Sequence, residues 1–209
     1  MESEPSAKNT IQFIDFLKSK LKLFISLSVI FIFVGAFFLW LDYDKKNQRT
    51  KNSEYFIEAK ILLTENNRSK SLEILENIIK TKDKTYSSLA LFLILDQNLQ
   101  KDKGKILKYF NEVLSVTDLD SEDLNLLRLK KAIFVSNTSN EQDMLDLLNP
   151  IINSESVWKN QSLKFIGDYY FSLKQFKKAE QYYLTLINSQ DNEIDLKEIE
   201  RKIKSIQNG

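Results

Sequence analysis

The stretch "LKFIGDYYFSLKQFKKAEQYY", residues 163–183, decides the fold. The chain holds four glycines in 209 residues, and Gly167 stands here among aromatics. Glycine costs about 1 kcal/mol in a helix interior relative to alanine. A residue that costly in a helical pattern points to close packing. Ile166 precedes it, Tyr170 follows by three, Phe176 comes after a short gap, Ala179 three later and Tyr183 four after that. Small residues at 167 and 179 let two helix axes approach to the short end of the usual ~8–10 Å. The expectation is that Gly167 faces Ala179, with Tyr170, Phe176 and Tyr183 filling the wedge around them.

This spacing matches the tetratricopeptide pattern, a helix-turn-helix unit of about 34 residues with an L-G-x-x-Y…A-x-x-x-F signature. A second match lies in "FIEAKILLTENNRSKSLEILENII", where Ala59 takes the glycine place, Leu62 the tyrosine, Ser71 the alanine and Leu75 the later aromatic. The middle of the chain keeps the two-helix rhythm but not the small-residue signature. Helices are predicted over 46–64, 69–80, 85–100, 104–116, 121–136, 141–153, 157–173, 176–189 and 194–207. The gaps between them carry turn residues, and gaps this short force neighbours to run antiparallel. Asp120-Ser121-Glu122-Asp123 is the clearest helix start, a capping residue followed by acids that suit the positive N-terminal end. The last helix places Ile194, Ile199, Ile203 and Ile206 on an apolar face and is predicted to cap the stack. The predicted fold is all-α: a tetratricopeptide-like solenoid of about four helix pairs over 46–209, with that capping helix.

Composition agrees with an all-α chain. Four Gly and two Pro are too few for the turns of an all-β domain. There is no cysteine, which excludes disulfides, thiolate zinc sites, cysteine nucleophiles and a lipid-bearing N-terminal cysteine. There is no histidine, which excludes a Ser-His-Asp triad and H-E-x-x-H zinc sites and removes the commonest general base. The pattern points away from an enzyme, and no cofactor, metal or small-molecule substrate is expected. The acidic run at Asp118, Asp120, Glu122 and Asp123 lacks the glycine and terminal carboxylate of a calcium loop. Net charge is +1, with no strongly basic run, so the phosphate-binding footprint of a nucleic-acid partner is missing.

Residues 23–41, "LFISLSVIFIFVGAFFLWL", form a run without charge. At 1.5 Å per residue the run spans about 28 Å, close to the ~30 Å hydrocarbon core of a bilayer. It is longer than a signal-peptide core and ends in "LWLDYD", with no small-x-small cleavage site. A core helix of this length would show a polar face. An uncleaved transmembrane anchor is expected, with lipid contact through residues 23–41 and with Trp40 and Tyr43 at an interface. Counts of Lys and Arg on the two sides leave the orientation open. Lys18, Lys20 and Lys22 crowd one end and Asp42 and Asp44 the other. That proximity favours residues 1–22 as a cytoplasmic tail and the helical domain across the membrane.

An uncleaved anchor followed by a degenerate helical-repeat domain resembles the YfgM-like ancillary subunits of the bacterial Sec translocon. The resembling segments are "DKTYSSLALFLILDQNLQKDK" (83–103), "SEDLNLLRLKKAIF" (121–134) and "VWKNQSLKFIGDYYFSLKQFKKAEQYYLTLI" (157–187), with the Thr85-Tyr86 and Val157-Trp158 helix starts the more telling points. The resemblance implies a single-pass inner-membrane protein with its domain in the periplasm. It implies Sec translocon subunits and periplasmic folding factors as partners. The alternative is a scaffold or receptor anchored with its domain on the cytoplasmic face. In a repeat of this kind the first helix of each pair lines the inner surface. Mapping from Gly167 places Gln161, Lys164, Asp168 and Phe171 there as candidate partner-facing residues.

Overall fold

The structure, a computed structural model, describes residues 7–189 and 195–207. Every regular element among them is an α-helix. In chain order these are α1 (Ala7–Thr64), α2 (Arg68–Lys80), α3 (Tyr86–Asp96), α4 (Lys103–Leu114), α5 (Ser121–Val135), α6 (Glu141–Ile152), α7 (Lys159–Ser172), α8 (Phe176–Asn188) and α9 (Leu196–Gln207). The chain divides into two compact units, residues 1–51 and 52–209.

The described part of the first unit is helical throughout. One window of α1 has mean hydropathy 2.2, and none of it is buried. Phe31, Phe33, Phe38 and Leu39 are all exposed. The helix is long and apolar enough to cross a membrane. The helix predicted from residue 46 is the continuation of this one. Residues 42–51 contain neither Gly nor Pro, and Lys46 pairs with Asp42 one turn earlier at 2.9 Å, so nothing interrupts the backbone ladder.

In the second unit the end of α1 meets α2, and from α2 onward each helix packs on the next, most extensively α7 on α8 and α2 on α3. Extensive packing is confined to helices one or two places apart in sequence, as in a stack that grows along one direction. Three of the hairpins turn in the same way. Asn66, Asn98 and Lys174 adopt left-handed backbone conformations (φ 61°, 48° and 58°). The next N–H then closes back on the helix end: Asn67 to Leu62, Leu99 to Ile94 and Gln175 to Tyr170, at 2.8–2.9 Å. This closure satisfies carbonyls that the helix end leaves free. Asn98 also ends α3 earlier than the periodicity predicts. Asp102, Asp120 and Asn140 cap α4, α5 and α6 by accepting backbone N–H bonds.

The apolar core forms two clusters. One joins Ala59, Leu75, Ile79, Leu91, Ile94 and Phe110 of the first two hairpins, and the other joins Met144, Leu148, Ile166, Tyr170, Tyr183 and Ile199 of the last helices. Phe134 of α5 packs against both and lies 5.7 Å from the ring of Phe110. Complete burial of one such side chain stabilises the fold by about 1.5–3 kcal/mol. In the first hairpin Ala59 and Ser71 lie against each other. Both are fully buried, and Ser71 Oγ donates to the Ala59 carbonyl at 2.9 Å.

Candidate interaction surface

The α7–α8 hairpin carries most of the residues singled out in the sequence. Ile166, Gly167, Tyr170, Ala179 and Tyr183 are buried together. The group that closes on Gly167 is the Tyr183 ring: a Cβ at residue 167 would lie 2.5 Å from Tyr183 Cε1. Ala179 is buried in the same cluster. The glycine makes room for the Tyr183 ring. Phe176 does not fill the wedge. It is 41% exposed and meets Phe171 edge-on at 5.5 Å between ring centres. Phe176 is the first residue of α8, so its side chain lies at the hairpin tip, outside the core.

Two polar networks brace this hairpin. Asp168 accepts from Tyr183 Oη at 2.7 Å, Lys202 Nζ at 2.6 Å and Lys164 Nζ at 2.9 Å. Glu198 completes it, at 2.7 Å from Lys202 and 3.4 Å from Lys164. Burial pushes the Asp168 carboxyl up, but the bonds from Lys202, Lys164 and Tyr183 outweigh it and hold it below the usual range. Burial and the bond to Asp168 push the Tyr183 phenol up. In the second network Glu141 accepts from Lys178 at 2.6 Å and Tyr170 at 2.9 Å, while Lys178 sits 5.1 Å above the Tyr170 ring. Tyr170 stacks on Tyr182 with ring centres 5.6 Å apart.

The four candidate partner-facing residues do not form one open face. Lys164 and Asp168 are tied to α9 through Glu198 and Lys202. Gln161 is half-buried, and its Oε1 has no hydrogen-bond partner among the described residues. Phe171 is half-buried beside Phe176. Of the predicted capping isoleucines, Ile199 and Ile203 are buried and Ile206 half-buried, while Ile194 lies outside the described residues.

A feature that the sequence reading missed opens at the α8–α9 edge. A shallow groove of about 620 Å³ is lined by Lys174, Gln175, Phe176, Lys177, Lys178, Glu180, Ile206 and Gln207. Leu173 beside it is 47% exposed. The signal was present in "LKQFKK" (173–178), where two apolar residues alternate with lysines at a hairpin tip. Among the described residues no three acidic side chains converge as a metal site would require.

Fold and surface define a class: an all-helical stack of hairpins whose first helix extends into a stretch long and apolar enough to cross a membrane. No family model matches the chain, and neither a curated protein nor a solved structure matches it.

Proposed function

We propose that the chain is a membrane-anchored, tetratricopeptide-like protein-interaction subunit that works by tethering. Residues 23–41 hold it in the inner membrane, residues 1–22 stay in the cytoplasm and the hairpin domain stands in the periplasm. Its partners are subunits of the Sec translocon and periplasmic folding factors that receive exported chains. The observation that carries this reading is the uncovered apolar stretch of α1 in the same chain as a stack of helical hairpins. Anchoring such a stack beside a channel raises the local concentration of whatever it binds.

The chain has no cysteine, so a single introduced one reports topology cleanly. Val157 is 70% exposed on the hairpin domain. A Val157→Cys chain in intact spheroplasts is expected to react with a membrane-impermeant maleimide. Labelling only after permeabilisation would place the domain in the cytoplasm and favour the scaffold alternative. Crosslinking in native membranes tests the partners. Recovery of neither a translocon subunit nor a folding factor overturns the export assignment.

A further inference from the structure

Two surfaces of the hairpin unit are uncovered and opposite in charge. The first is the outer face of α1 beyond Asn52. Glu54, Ile57, Glu58, Ile61 and Glu65 recur at helical spacing on one side, opposite the buried Asn52, Ala59 and Leu62. Ile57 and Ile61 are 55% and 52% exposed. The three glutamates are exposed and make no ion pair among the described residues, and Lys60 lies at the flank. The second surface is the groove at the α7–α8 turn. Its one acidic residue among the described residues, Glu180, accepts a bond from Gln207 at 2.6 Å. Lys178 is turned to Glu141, while Lys174 and Lys177 make no ion pair among the described residues. Phe176 and Ile206 are the apolar residues of its lining.

The two surfaces match in kind: acids around two isoleucines on one, lysines around a phenylalanine and an isoleucine on the other. The end of α1 packs in one apolar cluster and α8 in the other, and extensive packing joins only helices close in sequence, so the two surfaces of one copy do not meet. We propose that the basic groove of one copy takes the acidic outer face of α1 from a second copy, in a head-to-tail contact. Such a contact is heterologous: each copy uses a different patch, so it propagates into a ring or a row. Opposite charges set the register, and the apolar residues at the centre lose their exposure. The proposal goes beyond the tethering role and does not rest on it.

The test uses the full chain in its membrane. Thr64→Cys, on the acidic face, and Gln175→Cys, at the groove, are placed on separately tagged copies that are co-expressed and mildly oxidised. Gln175 makes no side-chain cap bond, so its replacement leaves α8 intact. A disulfide joining the two tags is expected. Lys174→Glu with Lys177→Glu in the groove copy is expected to cut its yield roughly tenfold, because like charges now face each other. Glu54→Lys with Glu58→Lys in the other copy is expected to restore it. A yield no higher than with an Ile133→Cys control overturns the proposal. So does a yield that is indifferent to charge reversal, or one that the double swap fails to restore.

Discussion

The ring of Tyr183 closes on the backbone of Gly167, and its hydroxyl reaches Asp168, the next residue along α7. One side chain of α8 thus explains both the glycine and the acid beside it. The ring is fully buried and its far end is held at 2.7 Å, so it has no free direction in which to move.

Gly167→Ala should therefore destabilise the hairpin although alanine is the better helix former. Helix propensity contributes about 1 kcal/mol in its favour, and overpacking costs about 1–3 kcal/mol. A net loss of about 1 kcal/mol is expected in chemical denaturation. Tyr183→Leu should make the alanine cheaper, so the double mutant should lose less than the sum of the singles.

The Asp168 network sets an acid dependence. Its folded pKa is depressed, so its stabilisation is complete above the unfolded value of about 3.9 and is lost as pH falls through the folded pKa below that. Glu198 and Glu141, also held low by lysines, act in the same direction. Asp168→Asn should lower stability at neutral pH and flatten the acid limb. Unfolding midpoints measured across that limb check it.

Tyr109 gives the opposite sign. Burial and a hydrogen bond to Glu76 push its phenol up to about 12. Its stabilisation is complete below the unfolded value of about 10 and is lost as pH rises through the folded one. Tyr109→Phe should leave a shallower alkaline loss of stability, followed by circular dichroism.

Lys174 holds a left-handed conformation that costs an L-residue with a side chain roughly 1–2 kcal/mol. Glycine loses about 0.5–1 kcal/mol more in backbone entropy on folding. Lys174→Gly should raise stability by up to about 1 kcal/mol. Lys177→Gly, inside α8, should lower it by about as much.

Ser71 tests the first hairpin. Ser71→Ala removes its bond to Ala59 and should cost about 0.5–1.5 kcal/mol. Ser71→Leu should cost more, about 1–3 kcal/mol, because a larger side chain meets the backbone at Ala59. Equal losses in thermal unfolding would show that the site has room to spare.

Much of this was legible in the chain. Apolar periodicity and polar gaps located the helices of the hairpin unit, because those signals are local. The buried Ala59–Ser71 contact was legible for the same reason that Gly167 was: small residues twelve apart bracket a hairpin turn. The groove was not legible, because the lysines of 174–178 look like any solvated turn until Ile206 arrives from α9 to form its other wall.

The sequence by itself determined which segments are helices, which segment is apolar enough for a membrane, and that Gly167 must meet something close. Only the tertiary structure decided what it meets. Periodicity tells which residues share a face but not which residue across the interface fills the space. It could not show that the Tyr183 ring closes on the glycine while its hydroxyl reaches Asp168. Nor could it show that Lys164 and Asp168 are bound to Glu198 and Lys202, each 34 residues further along the chain. Those pairings arise from packing one helix against another, and no local spacing encodes them.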